Sequence, residues 1–280
     1  MQMIDLPGGA LRYRAAGPER SAAPPVVFVH AFLANGAVWS RVADLLAERG
    51  VRSYAPDWPL GAHSVPLDPD ADQSPRGVAR RILVFLDALD LRDVVLVGND
   101  TGGALVQFVL DTDASRVGGV VLTNCDAFDK FPPFPFSVMF RLLKGKHRMK
   151  ASLLPMRSRV LRHSPLGFGL LSRNLDADLS RSLIEPALTR PDVRDDAVRF
   201  LRAVDPRDLL DVSTRLKNYR GRVRIVWGTA DRAFTPALGR RLQGAFHDAE
   251  FVEVPGSRTF VQLDAPQVLV DQIADFVERP

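Results

Sequence analysis

Residues 94–106 read VVLVGNDTGGALV, and this stretch decides the fold. Its first four residues are apolar and mostly β-branched, as in a strand buried on both faces. Gly98 ends the run, and from Thr101 onward small and apolar residues suit a helix. Between them, Gly98-Asn99-Asp100-Thr101-Gly102 fits a strand–tight turn–helix elbow, written G-x-nucleophile-x-G. Such a turn crowds the neighbours of its central residue, so glycine is needed on both sides. The central side chain, here Asp100, is then held at the rim of a sheet over a helix N-terminus, where backbone N–H groups stabilise an oxyanion. The plainer alternative is a glycine-rich turn in which Asp100 only caps the helix.

Outward from the elbow, short β-branched runs at 26–29, 51–55, 117–122, 223–227 and 251–254 read as further strands. Residues 11–15 read as an edge strand. Helical patterns fall at 38–49, 75–89, 101–111, 236–245 and 265–277, the first of them stopped by Gly50. This alternation predicts an α/β fold with a mostly parallel central sheet flanked by helices. It breaks between about 129 and 218, where Phe131, Phe134 and Phe136 interleave with prolines and Leu- and Arg-rich helical sequence follows. The predicted organisation is a core of 1–128 and 219–280 with a helical cap, 129–218, inserted into it.

At 280 residues, 46% hydrophobic and 25% charged, the composition is that of an ordinary globular protein. The single cysteine, Cys125, excludes a disulfide framework within the chain and a cysteine zinc cluster. No basic stretch followed by an apolar one opens the sequence, and no run approaches the ~20 apolar residues of a membrane span. The expectation is a cytoplasmic protein with no cofactor and no metal. The net charge of +4 is unevenly placed: residues 130–175 hold ten Lys or Arg and no Asp or Glu. A basic excess of this kind attracts anions, whether a carboxylate substrate, an acidic partner or a phosphate surface; the bland alternative is a solvated helical face. No nucleic-acid module accompanies it. The oligomeric state is not legible.

Five motifs, in order, resemble the α/β-hydrolase superfamily over nearly the whole chain. His30-Ala31-Phe32 is similar to its oxyanion loop, and Asp57-Trp58-Pro59-Leu60-Gly61 to its Asp-x-Pro-Gly loop with the Gly displaced by one. Asn99-Asp100-Thr101-Gly102-Gly103 resembles its nucleophile elbow. Trp227-Gly228-Thr229-Ala230-Asp231 resembles the strand end carrying the triad acid, and the segment from Pro255 to Phe260 the loop carrying the triad histidine. The resemblance implies an α/β-hydrolase fold of aspartate-elbow type, as in haloalkane dehalogenases and epoxide hydrolases. Where the family has histidine, however, this sequence has Thr259. A carboxylate nucleophile forms an ester that a base must help water to break, and a hydroxyl is no such base. The two aspartate subfamilies also lose their leaving-group chemistry: Thr101 stands where dehalogenases have tryptophan, and the three tyrosines do not fall clearly in the cap.

What remains is Asp100 beside two candidate oxyanion donors, the N–H groups of Phe32 and Thr101. That pairing suits proton abstraction next to a carbonyl on a small, partly apolar molecule, with an anionic substrate one reading of the basic cap. Asp231, Thr259 and His63 are the further catalytic candidates, His63 as a replacement base. Asp126, after the 117–122 strand, stands where some dehalogenases keep their acid, or is a plain loop residue; His30 is a candidate for shaping the oxyanion loop, and Phe128, Phe131 and Phe134 for an apolar pocket that binds substrate. The rival reading is an inactive binding protein that keeps the pocket.

Overall fold

The computed structural model describes residues 1–278. Its core is an eight-stranded sheet: β1 (Gln2–Leu6), β2 (Gly9–Ala16), β3 (Val26–Val29), β4 (Ser53–Pro56), β5 (Val94–Asp100), β6 (Val117–Cys125), β7 (Arg222–Gly228) and β8 (Ala249–Val254). The spatial order is β1-β2-β4-β3-β5-β6-β7-β8. The β1–β2 and β2–β4 pairings are antiparallel and all others parallel. β3 and most of β5 and β6 are buried on both faces, which is why they are near-continuous apolar runs.

Helices α1 (Ser40–Glu48), α2 (Pro75–Ala88) and α3 (Thr101–Thr112) follow β3, β4 and β5. α1 starts after a 3-10 turn and ends before Gly50, whose φ of +76° suits glycine. α2 begins at the Ser74 cap, whose Oγ accepts the Gly77 N–H at 3.0 Å, with Pro75 in the first turn. Residues 11–15, expected at the edge, lie inside β2, second in the sheet. The edge strand on this side is β1, which the sequence reading missed because its side chains are mostly exposed and carry no buried run; β8 forms the opposite edge.

From β6 to β7 the regular elements are helical: α4 (Phe136–Leu143), α5 (Lys146–Leu153), α6 (Arg159–His163), α7 (Ala177–Thr189), α8 (Pro191–Ala203) and α9 (Pro206–Ser213). Arg162 ties α6 to α7 by donating to Ser180 Oγ at 2.7 Å, and to the turn before α6 by donating to Met156 O at 2.9 Å. Asp196 of α8 ties the segment to the core by accepting the Leu67 N–H at 2.8 Å. α9 differs from its neighbours: it packs on α3, and Arg215 just beyond it pairs with Asp111 at 2.6 Å. The last part of the 129–218 segment therefore rests on the core. α10 (Pro236–Gln243), α11 (Val261–Asp264) and α12 (Pro266–Glu278) complete the chain.

Candidate active site

The elbow is built by close packing. A Cβ on Gly102 would lie 2.1 Å from Val29 O, one on Gly103 2.3 Å from Cys125 Cβ, and one on Gly98 2.8 Å from Gly103 Cα. Only glycines let α3 sit this tightly against β3 and β6. At its apex Asp100 has φ 56° and ψ −128°, a backbone state that costs about 1–3 kcal/mol and persists only where its surroundings impose it.

The strained residue faces a cavity of about 570 Å³ between sheet and cap. Its walls are almost wholly apolar, including Phe32 and Leu33 from the core and Met139, Phe140, Leu143, Phe168 and Ile184 from the cap. Asp100 is the one charged side chain among the residues that line it. Asp100 Oδ1 accepts the Thr101 N–H and, at 3.0 Å, the Thr101 hydroxyl; no donor reaches Oδ2 among the described residues. Removal from bulk water raises its pKa to about 6, against the lowering effect of the two Thr101 bonds.

Phe32 lies at the opposite lip, its ring 5.0 Å from Phe140 and 5.9 Å from Phe200. Leu33 follows in a left-handed conformation and donates to Leu60 O at 2.8 Å, which turns the loop over the site. The Phe32 N–H has no hydrogen-bond partner among the described residues. The Thr101 N–H, expected as the second oxyanion donor, is already committed to Asp100.

Behind the cavity wall lies a dense polar network, with Gln262 Oε1 its one buried side-chain atom left without a partner among the described residues. Asp231 accepts the Ala233 and Phe234 N–H groups at 2.8 and 3.0 Å, Asn124 Nδ2 at 3.0 Å and the Thr259 hydroxyl at 2.7 Å. Its pKa is nevertheless raised, because burial outweighs these bonds. Asn99 Nδ2 donates to Thr259 O at 2.7 Å, and Asn99 Oδ1 accepts from Gln262 at 3.0 Å. Asn99 and Gln262, with Asn124, lock the loops of Asp231 and Thr259 against the sheet. Sequence reasoning named none of the three as functional; their only signal is being amides beside the motif residues.

Asp126 is fully buried next to the elbow, its N–H donating to Asp100 O at 3.3 Å. Neither carboxyl oxygen has a hydrogen-bond partner. Burial, reinforced by Asp100 and opposed only weakly by the nearby Thr101 hydroxyl, drives its pKa well above the ordinary carboxylate value, which favours the protonated form.

The structure removes several expected residues from the cavity wall. His63 is sealed in, with Nδ1 accepting the Gly61 N–H at 3.2 Å and Nε2 donating to Asp196 at 3.1 Å. Both ring nitrogens are used, so it joins core to cap and does not serve Asp100. His30 is also fully buried: Nε2 accepts the Trp58 N–H at 2.8 Å and Nδ1 donates to Ala31 O at 2.9 Å. Burial lowers its pKa to about 4, which keeps the ring neutral as a support for the oxyanion loop. Phe131 packs against Phe108 in the core, and Phe128 lies under the Arg241 guanidinium, 3.8 Å from the ring centroid. Of the cap-entry aromatics, Phe134 and Phe136 do line the cavity. No Lys or Arg is among the described residues that line it, so the basic side chains of 130–175 lie off the cavity wall.

Residues 24–266 match the α/β hydrolase fold family. The chain belongs to that family. It is 28% identical over 246 residues to a 2-hydroxy-6-oxononadienedioate/2-hydroxy-6-oxononatrienedioate hydrolase of Paraburkholderia xenovorans (strain LB400), covering 86% of this chain and 81% of that protein. Its fold also matches solved structures. An ancestral haloalkane dehalogenase superimposes with a TM-score of 0.80 at 20% identity, over 99% of this chain and 98% of the other. An enol-lactonase from Burkholderia xenovorans LB400 gives a TM-score of 0.73 at 20% identity, over 99% and 100%. The chain is thus an enzyme of α/β-hydrolase type with an eight-stranded, mostly parallel sheet.

Proposed function

We propose that this α/β hydrolase acts on a small, partly apolar, carbonyl-bearing molecule, with Asp100 as a base that removes a proton from the carbon next to the carbonyl. The observation that carries this reading is a lone carboxylate on an apolar wall that no histidine shares. In the family pattern an imidazole bridges elbow and acid; Thr259 holds that position here and gives its hydroxyl to Asp231. Ester cleavage by water then lacks its base, whereas a single proton transfer needs only a carboxylate and an oxyanion donor. The C–H proton passes to Asp100 Oδ2, the C–H bonding pair forms the new C=C bond as the carbonyl π pair shifts onto oxygen, and the Phe32 N–H stabilises the enolate. Thr101 pins Oδ1 and so aims Oδ2. The relative's named substrate is a 2-hydroxy-6-oxo dienedioate; the cavity here, without a cationic side chain, favours a less polar ketone.

The test is deuterium uptake from D2O at the α-carbons of a panel of alkyl and aryl ketones, followed by NMR. Catalysed exchange that falls about 10³-fold in Asp100→Asn is the expected result. Binding of ketones without any catalysed exchange overturns the proposal in favour of an inactive binding protein. A second reading rests on the unpartnered Oδ2: Asp100 as a nucleophile toward alkyl halides. It predicts a stable alkyl adduct in the intact mass, because no base finishes the cycle. Clean multiple turnover of the halide instead reveals a base that this reading lacks.

A further inference from the structure

We infer that the mouth of the cavity is a docking surface for an anionic lipid bilayer, onto which the cap sets its apolar rim. Eight of the twelve exposed large apolar side chains among the described residues fall between Phe134 and Leu166. They are not scattered. Phe134, Val138, Met139, Leu142 and Leu166 also line the cavity, so they ring its opening. Leu166 is 89% exposed, Val160 79% and Phe134 76%, values more typical of lysine than of core-forming residues. On α4 the spacing of Val138, Met139 and Leu142 puts one apolar face outward, while Phe140 and Leu143 pack inward. An outward apolar patch of this kind marks an interaction surface.

The charge around the rim says what covers it. Residues 130–175 contain no acidic residue. Lys146 is taken up by Asp195, but Arg141, Arg148, Lys150, Arg157 and Arg159 are exposed and make no ion pair among the described residues. Arg141 lies within the apolar face of α4, and Arg157 and Arg159 lie just before Val160. Apolar side chains at acyl-chain depth with guanidinium and ammonium groups at headgroup level are the layout of an interfacial binder. A second copy of the chain fits poorly, because joining two such faces brings like charges together. On the bilayer, the cavity opens toward the lipid, and an apolar substrate enters without crossing water. The docking itself does not rest on the chemistry at Asp100.

Sedimentation of the full-length protein with vesicles tests this, using about one-third phosphatidylglycerol in phosphatidylcholine against phosphatidylcholine alone. The expected result is at least about tenfold stronger binding to the anionic vesicles, weakened several-fold by ~0.5 M salt. Arg148→Ser and Arg159→Ser each reduce binding about fivefold, and Val160→Asp reduces it further. All three side chains are exposed and outside the cavity wall, so thermal unfolding stays unchanged and confirms that the variants fold. Asp100→Asn binds vesicles like the parent, which separates a failure of the catalytic reading from a failure of this one. No binding, equal binding to neutral vesicles, or variants that bind like the parent overturns the proposal. So does a concentration-dependent dimer that Val160→Asp dissociates, which assigns the rim to a second copy.

Discussion

The two walls of the cavity are made in opposite ways. On the sheet side the elbow is over-determined: three glycines in close contact with neighbouring strands and helix, a strained aspartate, and amides that clamp loops from distant parts of the chain. On the cap side the wall is a set of interchangeable apolar side chains, several of them facing solvent as well. The rigid wall places a carboxylate to within a bond length, whereas the other offers surface without direction. On the proposed reading, chemistry belongs to the sheet rim, and access and size selection belong to the cap.

Substitutions sharpen this contrast. Asp100→Asn has the largest effect, an about 10³-fold loss of catalysed proton exchange with ketone affinity largely kept, read by NMR and calorimetry. Gly102→Ala comes next. Its methyl has nowhere to go beside Val29 O, so a loss of about 3 kcal/mol is expected in denaturant unfolding. Thr259→Val deprives Asp231 of one of its donors and costs about 1–2 kcal/mol. It also lifts the Asp231 pKa further, because the threonine hydroxyl favours the charged form. On the other wall, Met139→Ala alters ketone affinity by only about threefold, with the maximal rate retained. If that change instead abolishes the rate, the division of labour between the walls is wrong.

Two pH profiles distinguish the carboxylates themselves. A base must be ionised, so kcat/KM rises as pH climbs through about 6, the value to which burial raises Asp100, and then levels off. Asp126 acts through stability instead. Its folded-state pKa lies above the unfolded one, so the protonated carboxyl is favoured by folding. That contribution is full below the ordinary carboxylate pKa and is lost as pH rises toward the raised value. Asp126→Asn keeps a neutral side chain at every pH. It should therefore raise Tm at pH 8 relative to the parent and change it little at pH 4.

The parts of the molecule that sequence revealed are those with local causes. β3, β5, β6 and β7 are buried on both faces, and burial writes itself as unbroken apolar runs. The elbow was legible because its glycines are demanded by contacts within a few residues and by the two neighbouring strands. β1 was missed because an exposed edge asks little of its side chains. His63 was misplaced for the opposite reason. Its position after the Asp57 loop suggested the site, but its partner Asp196 is 133 residues away on a cap helix. The same distance hid the Asn99–Thr259 clamp, which spans 160 residues. Likewise the basic stretch suggested an anion in the cavity, yet only three dimensions reveal that the charges point elsewhere.

The contact between Gly103 and Cys125 carries a practical consequence. The thiol lies beneath the first turn of α3 with no exposed surface, and its ionisation is suppressed chiefly by burial, with the nearby Asp100 carboxylate adding to it. Alkylating reagents have neither a path to it nor a thiolate to attack while the helix is seated. As the sole sulfhydryl of the chain, it becomes a silent timer. The rate at which it acquires a label reports how often the elbow lifts off the sheet, with no probe to be engineered in.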